Sequence, residues 1–204
     1  MSTRSPIATW TWLLNHDLDA DGLEVGAPVG LTAVEVLREH RLLRVEYIDV
    51  SWHRDGGGLL WFQTRIHGPR LTDAGELAAD VADMRPSGYP GARPARLDMR
   101  GTGFWVSASG TEREEPDIVS VSVDVSSPSV GLTVGVHHDV WSDLDFTGRP
   151  HPEVRQRNAP RLEQALRGLE SALGSRLDFN DPDEATAYAE PVGYGVELLT
   201  DPEE

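Results

Sequence analysis

Cysteine is absent from this sequence. Disulfide staples, thiolate-bound zinc and cysteine nucleophiles are excluded together. Lysine is absent too: all 18 basic residues are arginine, against 34 acidic ones, for a formal net charge of −16. That charge opposes binding to DNA, RNA or anionic lipid and favours solubility, cations or a basic partner. No apolar run approaches the roughly 18–20 residues of a membrane-spanning helix. The first apolar run, Ile7 to Leu14, is broken by Thr9 and Thr11 and reads as a strand, not as a signal peptide. A cytoplasmic location fits these absences. Catalytic signatures are missing as well. There is no G-x-S-x-G elbow, no S-x-x-K and no H-E-x-x-H. Gly56-Gly57-Gly58 lacks the following Lys-Ser/Thr of a phosphate loop. No cofactor is expected, and the enzyme reading is weakened without being eliminated.

What is present is a strong strand pattern from Asp117 to Trp141. Val119, Val121, Val123 and Val125 alternate with Ser120, Ser122 and Asp124; Leu132, Val134, Val136 and Val140 alternate with Thr133, Gly135, His137 and Asp139. Period-2 alternation marks strands with one buried and one wet face. The Ser126-Ser127-Pro128-Ser129 turn between them makes an antiparallel hairpin at the centre of a sheet. Leu43 to Arg54 and Leu59 to His67 form a second hairpin across the glycines, with a bulge near Tyr47 where the apolar parity switches. Helices are expected from Leu31–Thr32 to about His40, with a Thr32/Glu35 capping box; from Leu71 to Met84, capped by Thr72; and after an Asn158 cap along Leu162, Ala165, Leu166, Leu169 and Leu173. Arg85 to Gly103 reads as an irregular connector with a short strand at Arg96 to Met99, Phe104 to Ser107 as a further short strand, Gly110 to Pro116 as an acidic loop, and Gly193 to Leu199 as a last strand. Hairpins with single helices between them give an α+β fold: a largely antiparallel sheet with about three helices packed on it, as one domain over 1–204.

Asp17-x-Asp19-x-Asp21-Gly22 copies the first half of a calcium loop, with oxygen ligands at alternate positions before a sharp turn. Its closing position is Pro28 where a bidentate Glu belongs. A solvated acidic turn competes with a calcium site there. His137-His138-Asp139 ends the second strand of the hairpin, where His137 and Asp139 share a face and offer two metal ligands, whereas His137 and His138 point apart. The structural alternative is one buried and one exposed imidazole. His53 and His67 flank the Gly56 hairpin and form a weaker pair. Two arginine sets, Arg85, Arg93, Arg96 and Arg100, then Arg149, Arg155, Arg157, Arg161 and Arg167, are expected to pair with the protein's own acids.

After Arg176 no base occurs, while Asp178, Asp181, Asp183, Glu184, Glu190, Glu197, Asp201, Glu203 and Glu204 follow. Segment 177–204 is expected to be extended or partner-facing, with Asp178, Asp181, Asp183, Glu184, Tyr188 and Tyr194 as contacts to a basic surface. The favoured reading is an acidic binding protein for a basic protein partner, in its most concrete form an immunity protein neutralising a bacterial toxin. The alternatives are a metal-dependent hydrolase using His137 and Asp139, and a calcium-binding module using Asp17, Asp19 and Asp21. Nucleic acid and membrane are not expected partners.

Overall fold

The computed structural model describes residues 3–15, 22–54, 56–126, 129–177 and 189–198. In chain order the elements are β1 (Ala8–Asn15), α1 (Gly22–Glu39), β2 (Arg44–His53), β3 (Leu59–His67), α2 (Ala74–Asp83), β4 (Arg93–Val106), β5 (Glu112–Pro116), β6 (Val119–Asp124), β7 (Ser129–Val136), α3 (Pro152–Leu173), β8 (Ala189–Val192) and β9 (Gly195–Leu198). A short 3-10 turn, Asp139–Trp141, follows β7. The fold is α+β: seven antiparallel strands in the order β1-β7-β6-β4-β2-β3, with β5 beside the second half of β4, and three helices.

The valine hairpin lies inside the sheet. Val121 pairs with Val134 and Val123 with Leu132, and β1 adds Trp10 beside Val134 and Trp12 beside Leu132. On the other side Met99 and Leu97 of β4 meet Val121 and Val123, and Ile48 and Val50 of β2 continue both rows. All are buried, as are Trp52 and Trp141. Burying a large apolar side chain is worth about 1.5–3 kcal/mol, so this face is the main source of stability. The helices cover it.

Helix α1 begins at Gly22, well before the expected Leu31. Its first turns carry glycine instead of a periodic apolar stripe because they lie tight on the sheet. A Cβ on Gly26 would come 2.4 Å from Val125 Cγ1, and one on Gly30 would come 2.7 Å from Met99 Cε. Thr32 therefore lies inside the helix, where its hydroxyl donates to the Pro28 carbonyl at 2.9 Å instead of capping. The cap of α2 is Asp73, not Thr72: its carboxylate accepts from the Glu76 N–H at 3.0 Å. Helix α3 starts at Pro152, and Asn158 is interior, not a cap. Leu162, Ala165, Leu166 and Leu169 are buried as expected, and Gly174 ends the helix in the left-handed region at φ 62°.

The short strands expected at Arg96 to Met99 and from Phe104 belong to one 14-residue strand, β4, which also takes up much of the expected connector. Gly101 and Gly103 permit close backbone approach. A Cβ on Gly101 would lie 1.9 Å from the Arg44 carbonyl oxygen, and one on Gly103 would lie 2.1 Å from that of Leu42. The bulge lies where the parity of β2 switches, between Val45 and Tyr47. The acidic loop is strand β5, held by Arg41–Glu112 and Arg44–Glu114 ion pairs at 2.5 Å each. The last strand is a hairpin, β8–β9, forming its own two-stranded sheet. It is tied to β1 by Trp10 Nε1 donating to the Gly193 carbonyl at 2.7 Å. Among the described residues no helix is long and apolar enough to cross a membrane.

Candidate functional site

Among the described residues no helix lies on the second face of the sheet. Strand alternation that buries the valines turns the intervening residues outward, and register aligns them into rows across the sheet. The central row runs Thr11 (β1), Thr133 (β7), Ser122 (β6), Asp98 (β4), Asp49 (β2) and Arg65 (β3). On one side of it lie Thr9, Gly135, Ser120, Arg100 and Tyr47; on the other, Arg96 and Gln63. Together with Arg4 and Asp117 these residues line an open trough of about 950 Å³. No helical residue contributes to it.

Most charge in the trough is arranged in pairs; Arg4 and Asp98 have no ion-pair partner among the described residues. Arg65 grips Asp49 through Nε and Nη2, both at 2.7 Å, and stacks over the Tyr47 ring at 4.0 Å. Asp49 raises the pKa of Arg65 through this bidentate bond. Burial pushes the Tyr47 hydroxyl pKa up, and the Asp117 charge pushes the same way. Arg96 faces Asp124 and Arg100 faces Asp117, each at 3.8 Å. Asp98 is the unpaired acid. It stands directly opposite Asp49 in the register, yet among the described residues no arginine lies within ion-pair distance of it. Its partners are the Ser122 hydroxyl at 2.5 Å and the Gln63 amide at 3.5 Å. Like charges directly opposed on neighbouring strands are unfavourable by a few tenths to about 1 kcal/mol.

Asp117 adds a second irregularity. It occupies the left-handed region at φ 53° in the turn from β5 to β6, a conformation few non-glycine residues adopt. Its Oδ1 is buried and makes no hydrogen bond among the described residues, only the 3.8 Å ion-pair contact with Arg100 Nη1. Strain and an unsatisfied buried oxygen beside a trough are features that concentrate at functional sites.

The residues singled out from sequence fall elsewhere. Alternation stops at Val136, and Asp139 opens the 3-10 turn, so His137 and Asp139 do not share a strand face. His137 is fully buried, with Nδ1 3.1 Å from the Thr3 carbonyl and Nε2 2.8 Å from the Ser120 hydroxyl. A neutral ring satisfies both contacts, with Nδ1–H donating and Nε2 accepting. Burial lowers its pKa to about 4, and the Arg100 charge adds to the shift. Asp139 turns away, its Oδ1 2.7 Å from His138 Nδ1 and its Oδ2 accepting from the Phe146 N–H at 3.0 Å. Burial alone would raise its pKa, but these bonds outweigh it and hold the carboxyl below its ordinary value. His138 is buried as well, not exposed, with Nε2 3.2 Å from Glu115 Oε2. His53 and His67 lie at opposite ends of their hairpin: His53 pairs with Leu59, His67 with Tyr47. Among the described residues no three His, Asp or Glu side chains converge as metal ligands.

Asp17, Asp19, Asp21, Asp178, Asp181, Asp183, Glu184 and Tyr188 lie outside the described residues. Tyr194 is spent within the chain: its hydroxyl donates to Glu170 Oε2 at 2.6 Å, and Arg167 covers its ring at 4.2 Å. The expected self-pairing of the arginine sets holds in part. Arg167 meets Glu163 at 2.9 Å and Arg155 meets Asp143 at 3.4 Å, while Arg161 donates to the Phe104 and His40 carbonyls instead. The trough residues were legible only as the wet parity of each strand. What raises Asp98 and Asp49 above that background is their opposition across β2 and β4, which depends on register and a bulge. Comparison with known protein families, curated proteins and solved structures finds no match.

Proposed function

We propose that the chain is a binding protein that recognises a basic protein partner across the open face of its sheet, in its most concrete form an immunity protein that holds a toxin inactive. The observation that carries this reading is Asp98, a carboxylate in the middle of an uncovered face, opposed by Asp49 and lacking a cation of its own. An arginine or lysine from a partner relieves that opposition and completes a charge-assisted hydrogen bond, which gains more than a rim contact would. The hydroxyls of Thr11, Thr133 and Ser122 extend the row with short, stiff side chains that lose little entropy on docking. The net charge of −16 supplies long-range attraction for a basic partner and raises its on-rate at low salt.

The test compares wild type with Asp98→Arg as bait in lysate of the source cells, at low and moderate salt, after thermal melts confirm equal folding. The expected result is one basic protein retained in stoichiometric amount by wild type, released as salt rises, and not retained by the variant. Equal retention by both baits contradicts the proposal, as does capture of nothing by either.

A further inference from the structure

The β3 edge of the sheet, beside the trough, carries a surface of contrary character. β3 is an edge strand, bonded only to β2, so its outer backbone groups have no partner among the described residues. On it Trp61 is 89% exposed and Leu59 63% exposed. Four of the other tryptophans are buried and Trp105 is partly so, which makes this degree of exposure exceptional within the chain. Trp61 stacks edge-on against Phe62 at 5.4 Å, and Phe62 meets Tyr89 at 6.1 Å. A contiguous aromatic patch beside an open strand edge marks an interaction site more often than a free surface.

Three arginines frame this patch. Arg93 pairs in register with His53, which pairs with Leu59, and Arg54 is the next residue along. Arg85 donates to the Pro90 carbonyl at 3.3 Å, beside Tyr89. The Arg54 side chain donates through Nε to the Gly57 carbonyl at 3.1 Å. All three are exposed, and among the described residues none has an acidic partner. Three exposed guanidinium groups beside an apolar strand edge complement carboxylates supplied from outside.

We infer that the β3 edge is a docking site for an extended acidic segment of a partner protein. The segment adds a strand beside β3, seats an apolar residue against Trp61 and Leu59, and presents carboxylates to Arg54, Arg85 and Arg93. Main-chain bonds along β3 supply affinity, and alternation of the added strand supplies specificity. This site does not depend on the open face; either can fail alone.

The probe is a short capped peptide of alternating Glu and Val, titrated into the full-length protein at moderate ionic strength. Under those conditions fields from remote acids are screened beyond about 8–10 Å. Tryptophan emission is read against a Trp61→Phe variant, and amide exchange is followed along β3. The expected result is saturable binding, a blue shift that Trp61→Phe abolishes, and slower exchange of the outward amides of β3. Arg85→Glu with Arg93→Glu should weaken binding by roughly tenfold or more. The inference is overturned if the peptide does not bind, if a Lys-Val peptide binds as well, or if oligo-dT binds more tightly.

Discussion

Buried His137 gives the protein an acid sensitivity whose sign and size follow from its surroundings. In the unfolded chain its imidazole titrates near 6.5; in the fold, burial and Arg100 lower that to about 4. Between these values the unfolded state takes up a proton that the folded state refuses. The neutral ring therefore contributes its full stabilisation above pH 6.5, and the contribution is lost as pH falls through about 4. The separation corresponds to roughly 3 kcal/mol, a sizeable part of the 5–15 kcal/mol typical of a domain. Urea unfolding of wild type and His137→Gln should be followed at pH values from 7 to 4. Wild type should lose roughly 3 kcal/mol more than the variant over that range, with the steepest divergence between the two pKa values. Acids whose pKa is lowered in the fold, such as Asp139 and Asp145, destabilise both proteins alike and cancel in the difference. Parallel pH profiles, or a His137 imidazole resonance, assigned by its loss in His137→Gln, that titrates near 6.5 in the folded protein, would refute the neutral, doubly bonded ring.

Other substitutions test how the sheet is held. Asn158→Ala should cost about 2–4 kcal/mol in urea unfolding, because the amide both accepts from the Val106 N–H and donates to the Val106 carbonyl, at 2.8 Å each, and neither group has a ready substitute. Gly101→Ala places a methyl 1.9 Å from the Arg44 carbonyl and should lower stability by about 1–3 kcal/mol or more, read as a fall in melting temperature. Asp73→Ala removes the cap of α2 and should cost about 1 kcal/mol, while Thr72→Ala should cost far less.

Much of the fold was readable because its signals are local. The valine hairpin, the bulge near Tyr47, the glycine turn before β3 and the leucine stripe of α3 all follow from periodicities within a few residues. The misreadings share a physical cause. Gly26 and Gly30 in the first turns of α1, and Gly101 and Gly103 in β4, allow backbone and side chains from distant segments to approach. That need is set by tertiary packing and leaves no trace in neighbouring residues. The site was less legible for the same reason. Asp49 and Asp98 are 49 positions apart, each an ordinary wet-face acid in its own strand. Only the pairing of β2 with β4 opposes them. His137 and Asp139 misled in the opposite direction, because an alternation that ends at Val136 was extended past its end.

The central claim, that the open face of the sheet is the partner-binding surface, is tested most directly by labelling protection. The chain contains no cysteine, so single cysteines can be placed without background. Ser122→Cys lies in the middle of the trough, and Gln156→Cys lies on the exposed side of α3. Maleimide labelling of each is timed with and without the captured partner. The account predicts that partner slows modification at position 122 and leaves position 156 unchanged. Protection at 156 with free labelling at 122 would contradict it.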